Sequence, residues 1–333
     1  MPSIAAILRQ RAGQLAARLR GHMPVAVTAT LLAVGIYALV HLVRSVGPAE
    51  ILQEMRALPW KVAATAGALT AVGYLALASY DLFALRAIGR HLPTGLALRA
   101  GLLGTALGNT LGLSALSGGA VRYRFYGPRG LGATEVAAVS AYVAMAIGTG
   151  LTVIGLIALA LHPGALPDYL PWGAGLVGPG AAALAVIVIG VLLFACLRRT
   201  SVRLGPARLT MPGLRALGLQ GTAALVDVIA SAAVLWVLLP SGKPALAAFV
   251  AVYAVAMMAG VLSHVPGGVG VFEAVVLASL PVGVPVLTAT AALMCFRIIY
   301  YLVPFVLALI LLGGREIGGG LRRLRRPSAA MGA

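Results

Sequence analysis

The chain has 333 residues, 61 % of them hydrophobic and only 10 % charged, with a mean hydropathy of +1.00. A soluble domain has about 45–50 % apolar and 25 % charged residues, and a soluble chain this apolar would expose patches that aggregate, so a soluble enzyme, a disordered chain and a nucleic-acid binder are excluded. The net charge of +17, from 25 basic and 8 acidic residues, sits between apolar runs and points to anionic lipid headgroups as partners.

Residues 1–22 place Ile4, Leu8, Leu15 and Leu19 near helical spacing among four arginines, the pattern of a basic amphipathic helix at the membrane interface. A spanning helix needs about 20 mostly apolar residues. Six runs qualify: 23–43, 61–85, 134–161, 173–197, 215–239 and 285–313. Two further apolar regions are interrupted. Residues 97–121 are broken by Asn109, Ser114, Ser117, Gly118 and Gly119, and residues 245–280 by Ser263-His264-Val265-Pro266-Gly267-Gly268. Each is expected to be a re-entrant hairpin. The fold class is then an all-α polytopic membrane protein with six full spans plus two re-entrant hairpins. A β-barrel would show alternating segments of about ten residues instead. Residues 23–313 form a single transport domain, and 314–333 a basic cytoplasmic tail.

Charge sets the orientation. With the N-terminus inside, 20 of the 25 basic residues fall on the inner side. Arg44, Arg56, Lys61 and Lys243 fall outside, and Arg297 lies within a span. That asymmetry obeys the positive-inside rule with both termini cytoplasmic. It is spoiled if either hairpin is made a full span. Cys196 and Cys295 lie within apolar runs without metal-ligand spacing and read as inert buried thiols. No metal or cofactor is expected.

The two interrupted regions share a pattern. Ser114-Ala-Leu-Ser117-Gly118-Gly119 and Ser263-His264-Val-Pro-Gly267-Gly268 both read S-x-x-x-G-G. Each follows a span with one aspartate, Asp81 or Asp227, at 33 and 36 residues' distance. Each is followed by a full span. The units, about 61–161 and 215–313, start on opposite sides, which is the signature of an inverted repeat. Broken backbone at membrane depth must line a cavity or be buried in protein, and paired broken segments mark substrate sites in transporters. The strip Gly104-x-x-x-Gly108-x-x-x-Gly112 suits close helix packing.

Ionisable residues within spans are costly, roughly 2.5–3.5 kcal/mol each at mid-depth on insertion scales. Asp227 and Arg297 lie near the middle of their spans, and Glu273 lies in the second hairpin. Two readings stand. Arg297 holds Asp227 or Glu273 as a structural ion pair, or all three face a polar pathway. Arg122 and Arg124, in Arg-Tyr-Arg-Phe-Tyr, suit phosphate recognition through the planar guanidinium fork, or simple anchoring on the positive side. His264 is a polar residue at a helix break. Metalloprotease, Walker A and nucleophile-elbow motifs are absent, and Gly267-Gly-Val-Gly270 lacks the strand and acidic partner of a dinucleotide fingerprint. The chain is read as a non-enzyme.

The stretch Asn109-Thr-Leu-Gly-Leu-Ser114-Ala-Leu-Ser-Gly-Gly119-Ala-Val-Arg122-Tyr-Arg124-Phe-Tyr126 resembles the lysylphosphatidylglycerol synthase transmembrane-region family, the flippase-like membrane half of the bacterial multiple peptide resistance factors. Ser263-His-Val-Pro-Gly-Gly-Val-Gly-Val-Phe-Glu273 is similar to that family's second motif, and Ser79-Tyr-Asp81 to the acidic position of an early span. The resemblance implies an inner-membrane protein that moves aminoacylated phosphatidylglycerol to the outer leaflet, where a cationic lipid repels antimicrobial peptides. It also implies that Asp81, Arg122 and Glu273 are functional positions. The sequence ends at residue 333 without an aminoacyltransferase domain, so a stand-alone member is expected.

The expectation is a lipid flippase or lipid transporter whose partners are anionic or aminoacylated phospholipids. Arg122, with Arg297, holds phosphate, and Asp81, Asp227 and Glu273 hold amines or carry protons. A secondary transporter of a small solute, or a non-catalytic partner of a separate lipid-modifying enzyme, are the alternatives.

Overall fold

The computed structural model describes residues 53, 56–111, 114–166, 173–204, 207–263 and 266–324. The expected interfacial helix at 1–22 and the span at 23–43 lie outside these residues. The first unit begins with α1 (Trp60–Ala87), which starts after Pro59. It continues through α2 (Thr94–Leu111) and α3 (Ser114–Tyr126). A short 3₁₀ turn then leads into α4 (Ala133–Leu161). Next come α5 (Gly173–Leu197) and a two-stranded antiparallel hairpin, β1 (Ser201–Leu204) and β2 (Ala207–Thr210), with Ser201 opposite Thr210. The second unit has α6 (Leu214–Leu238), α7 (Leu246–Leu262), a 3₁₀ turn at Pro266–Gly268 and α8 (Val271–Ala278). It closes with α9 (Val286–Phe296), a π-helical turn at Arg297–Leu302 and α10 (Val303–Leu324).

Among the described residues, five helical stretches are long and apolar enough to cross a membrane: Trp60–Ala87, Ala133–Leu161, Gly175–Leu197, Leu214–Leu238 and Val286–Gly313. Their outer faces carry large apolar side chains, such as Leu75, Val186, Ile187 and Ile310. A hydrocarbon solvent accepts these faces. Burying apolar surface between helices gains little in such a solvent, so cohesion comes from close packing of small residues. The core accordingly contains many alanines, and glycines such as Gly150 and Gly155 admit a neighbouring helix directly. A Cβ on Gly150 would stand 2.6 Å from the Ala224 methyl, and one on Gly155 would stand 2.6 Å from that of Ala254.

Packing is reciprocal between the units. The opening helices α1 and α6 lie against each other. The closing helix α4 of the first unit packs on α7 of the second. The closing α9–α10 segment of the second unit packs on α2 of the first. Arg90, in the α1–α2 turn, pairs with Glu135 at 2.8 Å, and Glu135 also accepts the Gly132 N–H at 2.9 Å. That contact gathers the α1–α2 turn and the start of α4 at one end, to which α5 returns. At the other end, the Lys243 ammonium donates to the carbonyls of Trp236 (2.6 Å) and Leu239 (2.9 Å). It thereby caps the C-terminus of α6. Desolvation there lowers the Lys243 pKa.

Two features depart from expectation, the β-hairpin and the π turn in the last helical segment. The β-hairpin is a strand pair in a chain expected to be all helical. Its Ser-Val-Arg-Leu and Ala-Arg-Leu-Thr segments alternate polar and apolar residues, the strand period. The last helix, α10, runs to Leu324. The segment it ends is not a uniform α-helix, because Pro304 lacks the N–H that would bond to the Tyr300 carbonyl. The Tyr74 hydroxyl donates to that carbonyl instead, at 3.1 Å. The ladder widens to a π turn at this point.

Candidate functional site

Two buried ion pairs tie the broken segments to full-length helices. In the first unit, Asp81 on α1 accepts a two-pronged contact from Arg122 on α3. The Nε donates to Oδ1 and Nη2 to Oδ2, both at 2.8 Å. The Tyr126 hydroxyl donates to Oδ1 at 2.7 Å. Asp81 is 0 % and Arg122 3 % exposed, so both guanidinium and carboxylate are satisfied within the protein. Glycines make room for them. A Cβ on Gly101 would lie 2.8 Å from Asp81 Oδ2, and one on Gly118 would lie 3.0 Å from Arg122 Nη1 and 2.8 Å from the Gly104 carbonyl.

In the second unit the polarity is exchanged. Here the acid, Glu273, sits on the short helix α8, and the arginine, Arg297, on the full-length segment. Arg297 Nε donates to Glu273 Oε1 at 2.7 Å. Its Nη1 donates to the Gly267 carbonyl at 2.6 Å. Glu273 Oε2 accepts the Gly270 N–H at 2.7 Å, capping α8. Gly267, Gly268 and Gly270 have φ of 66°, 61° and 86°, a left-handed run that glycine alone adopts without strain. The sharp turn brings Gly268 onto Gly260, where a Cβ would meet the Gly260 Cα at 3.0 Å.

A cavity of about 400 Å³ is lined by residues of α1, α2, α4, α6, α7, α8 and the π turn. Gly108 and Asn109 line it from α2, Gly267 and Gly268 from the second break, and Asp227 and Ser231 from α6. Its walls include the aromatic Tyr253, Phe272, Tyr300 and Tyr301 beside aliphatic side chains such as Leu77 and Ile147. Asp227 is 7 % exposed. The Ser231 hydroxyl lies 3.3 Å from its Oδ1 and 2.7 Å from the Tyr300 hydroxyl. Among the described residues, no arginine, lysine or histidine forms an ion pair with Asp227. Among the described residues three acids are thus buried, two of them paired with arginine and one lining the cavity without a described counter-charge. Among the described residues no cluster of metal-ligating side chains occurs.

The family model described as the lysylphosphatidylglycerol synthase TM region matches residues 25–308. The chain belongs to that family. Relatives include slr0712 of Synechocystis sp., 32 % identical over 310 residues, covering 92 % of this chain and 96 % of the relative. The inner membrane protein YbhN of Escherichia coli is 28 % identical over 250 residues, covering 73 % of this chain and 76 % of the relative. A phosphatidylglycerol lysyltransferase of Staphylococcus haemolyticus shares 39 % identity over 75 residues, 22 % of this chain and 9 % of that longer protein. With several helices long and apolar enough to cross a membrane, this member of the family is a multi-pass membrane protein.

The structure distributes the sequence-derived residues over three places. Asp81 and Arg122 form the first ion pair, and Glu273 and Arg297 the second. Of the two partners considered for Arg297, the structure selects Glu273 and not Asp227. Arg122 has its fork taken up by Asp81 and does not line the cavity. Asn109, Asp227, Gly267 and Gly268 do line it. Gly118 faces Gly104, Gly119 faces the Ser140 hydroxyl, and Ser117 is buried. Arg124 is half-buried, and the Ser263 hydroxyl donates to the Gly260 carbonyl at 2.7 Å. The side chain of Ser114 and all of His264 lie outside the described residues. Sequence reasoning missed Ser231, Tyr253, Tyr300 and Tyr301 as cavity residues. Ser231 carried a signal, since it stands one helical turn from Asp227.

Proposed function

We propose that the chain moves a phospholipid between the leaflets of the bacterial inner membrane. The headgroup crosses through the central cavity while the acyl tails stay in the bilayer. In this reading the two broken segments are re-entrant hairpins of an inverted repeat, and the arginine-rich end faces the cytoplasm with both termini. The reciprocal packing of α4 on α7 and of α9–α10 on α2 supports the repeat.

The observation that carries the reading is Asp227, buried in a cavity lined by both broken segments and lacking a cationic partner among the described residues. A buried carboxylate without a counter-charge is tolerated only when it holds a proton or when a cation sits beside it. A headgroup ammonium supplies that cation, and the faces of Tyr253, Tyr300 and Tyr301 attract it further. An amine-bearing lipid follows, with aminoacylated phosphatidylglycerol as the candidate that the lysyltransferase relatives suggest. Arg122 and Arg297 act by holding the hairpins in place rather than by binding phosphate.

The test is reconstitution of the full chain into vesicles carrying labelled lysylphosphatidylglycerol, with lysine uptake measured in parallel. Outer-leaflet exposure of the lipid without lysine uptake is the expected result. Lysine uptake without lipid movement would replace this reading with that of a solute transporter. Movement of neither would favour a partner of a separate lipid-modifying enzyme.

A further inference from the structure

A second cavity of about 310 Å³ lies apart from the first, between α4, α5 and the start of α6. It shares no lining residue with the central cavity. Its walls are apolar, among them Met145, Ile154, Leu193 and Gly221, and Met145 and Leu193 are also exposed on the outer surface of the bundle. Two polar contacts line it, the Tyr142 hydroxyl donating to Gln220 at 2.7 Å and the Cys196 thiol donating to the Pro212 carbonyl at 2.9 Å. Cys196, Met211 and Pro212 line the groove where α5 ends and α6 is about to begin.

The chain at that mouth is strongly basic. Residues 196–226 contain Arg198, Arg199, Arg203, Arg208 and Arg215 and no acidic residue. Arg198, Arg199 and Arg215 are exposed and adjoin the groove residues Cys196, Pro212 and Leu217 in sequence. The Arg198 guanidinium lies over the Phe194 ring at 5.4 Å. Arg199 has a φ of 46° and is the one described non-glycine residue in the left-handed region. It occupies the position where helices usually place glycine. An arginine kept where glycine would relieve strain points to a use for its side chain.

We propose that this groove binds an anionic phospholipid from the leaflet at the arginine-rich end, with one acyl chain between α4, α5 and α6 and the phosphate on Arg198, Arg199 and Arg215. The occupant follows from charge and position together. Exposed apolar residues such as Met145 and Leu193 line the groove, and the exposed Arg198, Arg199 and Arg215 stand within three residues of its lining positions Cys196 and Pro212, a guanidinium being suited to phosphate in two-pronged contact. Basic pockets between spanning helices hold anionic headgroups by this chemistry. The site is separate from the transport cavity, so it is filled whether or not that cavity carries lipid.

The test uses the full chain with equimolar phosphatidylglycerol and phosphatidylcholine, reading the lipid retained per protein by native mass spectrometry. Wild type is expected to retain one phosphatidylglycerol with at least tenfold preference. Arg198→Gln/Arg199→Gln/Arg215→Gln is expected to bring the two lipids to near parity. A control losing the same charge elsewhere, Arg322→Gln/Arg323→Gln/Arg325→Gln, is expected to keep the preference. Gly221→Phe fills the groove from a position whose Cβ direction is open, and is expected to abolish retention of either lipid while leaving the protein monodisperse. Equal retention of both lipids by wild type would reduce the groove to ordinary boundary lipid. Wild-type retention by Gly221→Phe, or equal loss of preference in the control, would also overturn the proposal.

Discussion

The two ion pairs do the same job with opposite polarity and different closure. In the first unit, both oxygens of Asp81 and two nitrogens of Arg122 meet in parallel, and Tyr126 adds a third donor. Nothing of the pair reaches the cavity. In the second unit, Arg297 divides its donors between Glu273 and the Gly267 carbonyl, and Gly267 lines the cavity. The Arg297 guanidinium also lies 5.3 Å from the Tyr301 ring, another cavity wall. The first pair is therefore an anchor, and the second couples the position of a broken segment to the shape of the cavity. Satisfying an arginine with backbone rather than carboxylate leaves that end of the contact free to change partners without stranding a charge.

The largest expected effect comes from opening the anchor. Arg122→Gln leaves Asp81 buried without its cation, which costs about 3–5 kcal/mol. The variant is expected to lose monodispersity in detergent. Asp81→Asn combined with Arg122→Gln is expected to recover much of it, because no lone charge remains. A single Arg122→Gln that stays as heat-stable as wild type would erase the distinction between the two pairs.

The middle effect sharpens the comparison from the other side. Glu273→Gln keeps a side-chain oxygen for the Gly270 N–H and leaves Arg297 its bond to Gly267. It is expected to fold, to lose less stability than Arg122→Gln, and to lower lipid movement severalfold. Thermal unfolding followed by size-exclusion chromatography reads the first part, and reconstituted transport the second. The smallest effect is Tyr126→Phe, which removes one donor from an already paired carboxylate. A loss of about 1 kcal/mol is expected, on the scale of interhelical hydrogen bonds in bilayers. Transport per folded protein should be unchanged.

Much of this arrangement was legible in the sequence. Apolar run length gave α1 and α4 to within a residue or two, and the glycine pair at 267–268 marked a turn, whereas Ser117, Gly118 and Gly119, expected to interrupt the first region, lie inside α3. Azimuth was not legible. Run length fixes how deep Asp227, Glu273 and Arg297 sit, but which of them meet depends on how three helices are rotated against one another. The S-x-x-x-G-G repeat suggested that Asp81 and Asp227 correspond. In the structure Asp81 pairs with Arg122 and Glu273 with Arg297, and Asp227 lines the cavity. The π turn had a local signal in Pro304 that run-length reading ignores, and the β-hairpin's alternation over 201–210 was too short to register beside spans of 25 residues or more.

The central claim is that Asp227 faces the headgroup and does not hold the fold together. The direct measurement is Asp227→Asn in the full chain, assayed for thermal stability and for exposure of lysylphosphatidylglycerol on the outer leaflet of reconstituted vesicles. Asparagine keeps the shape and a polar oxygen for Ser231, and it removes a buried charge that no arginine offsets, so stability is expected to stay within about 1 kcal/mol of wild type or to rise. Lipid exposure is expected to fall at least tenfold. A folded Asp227→Asn protein that exposes lysylphosphatidylglycerol at the wild-type rate would contradict the account.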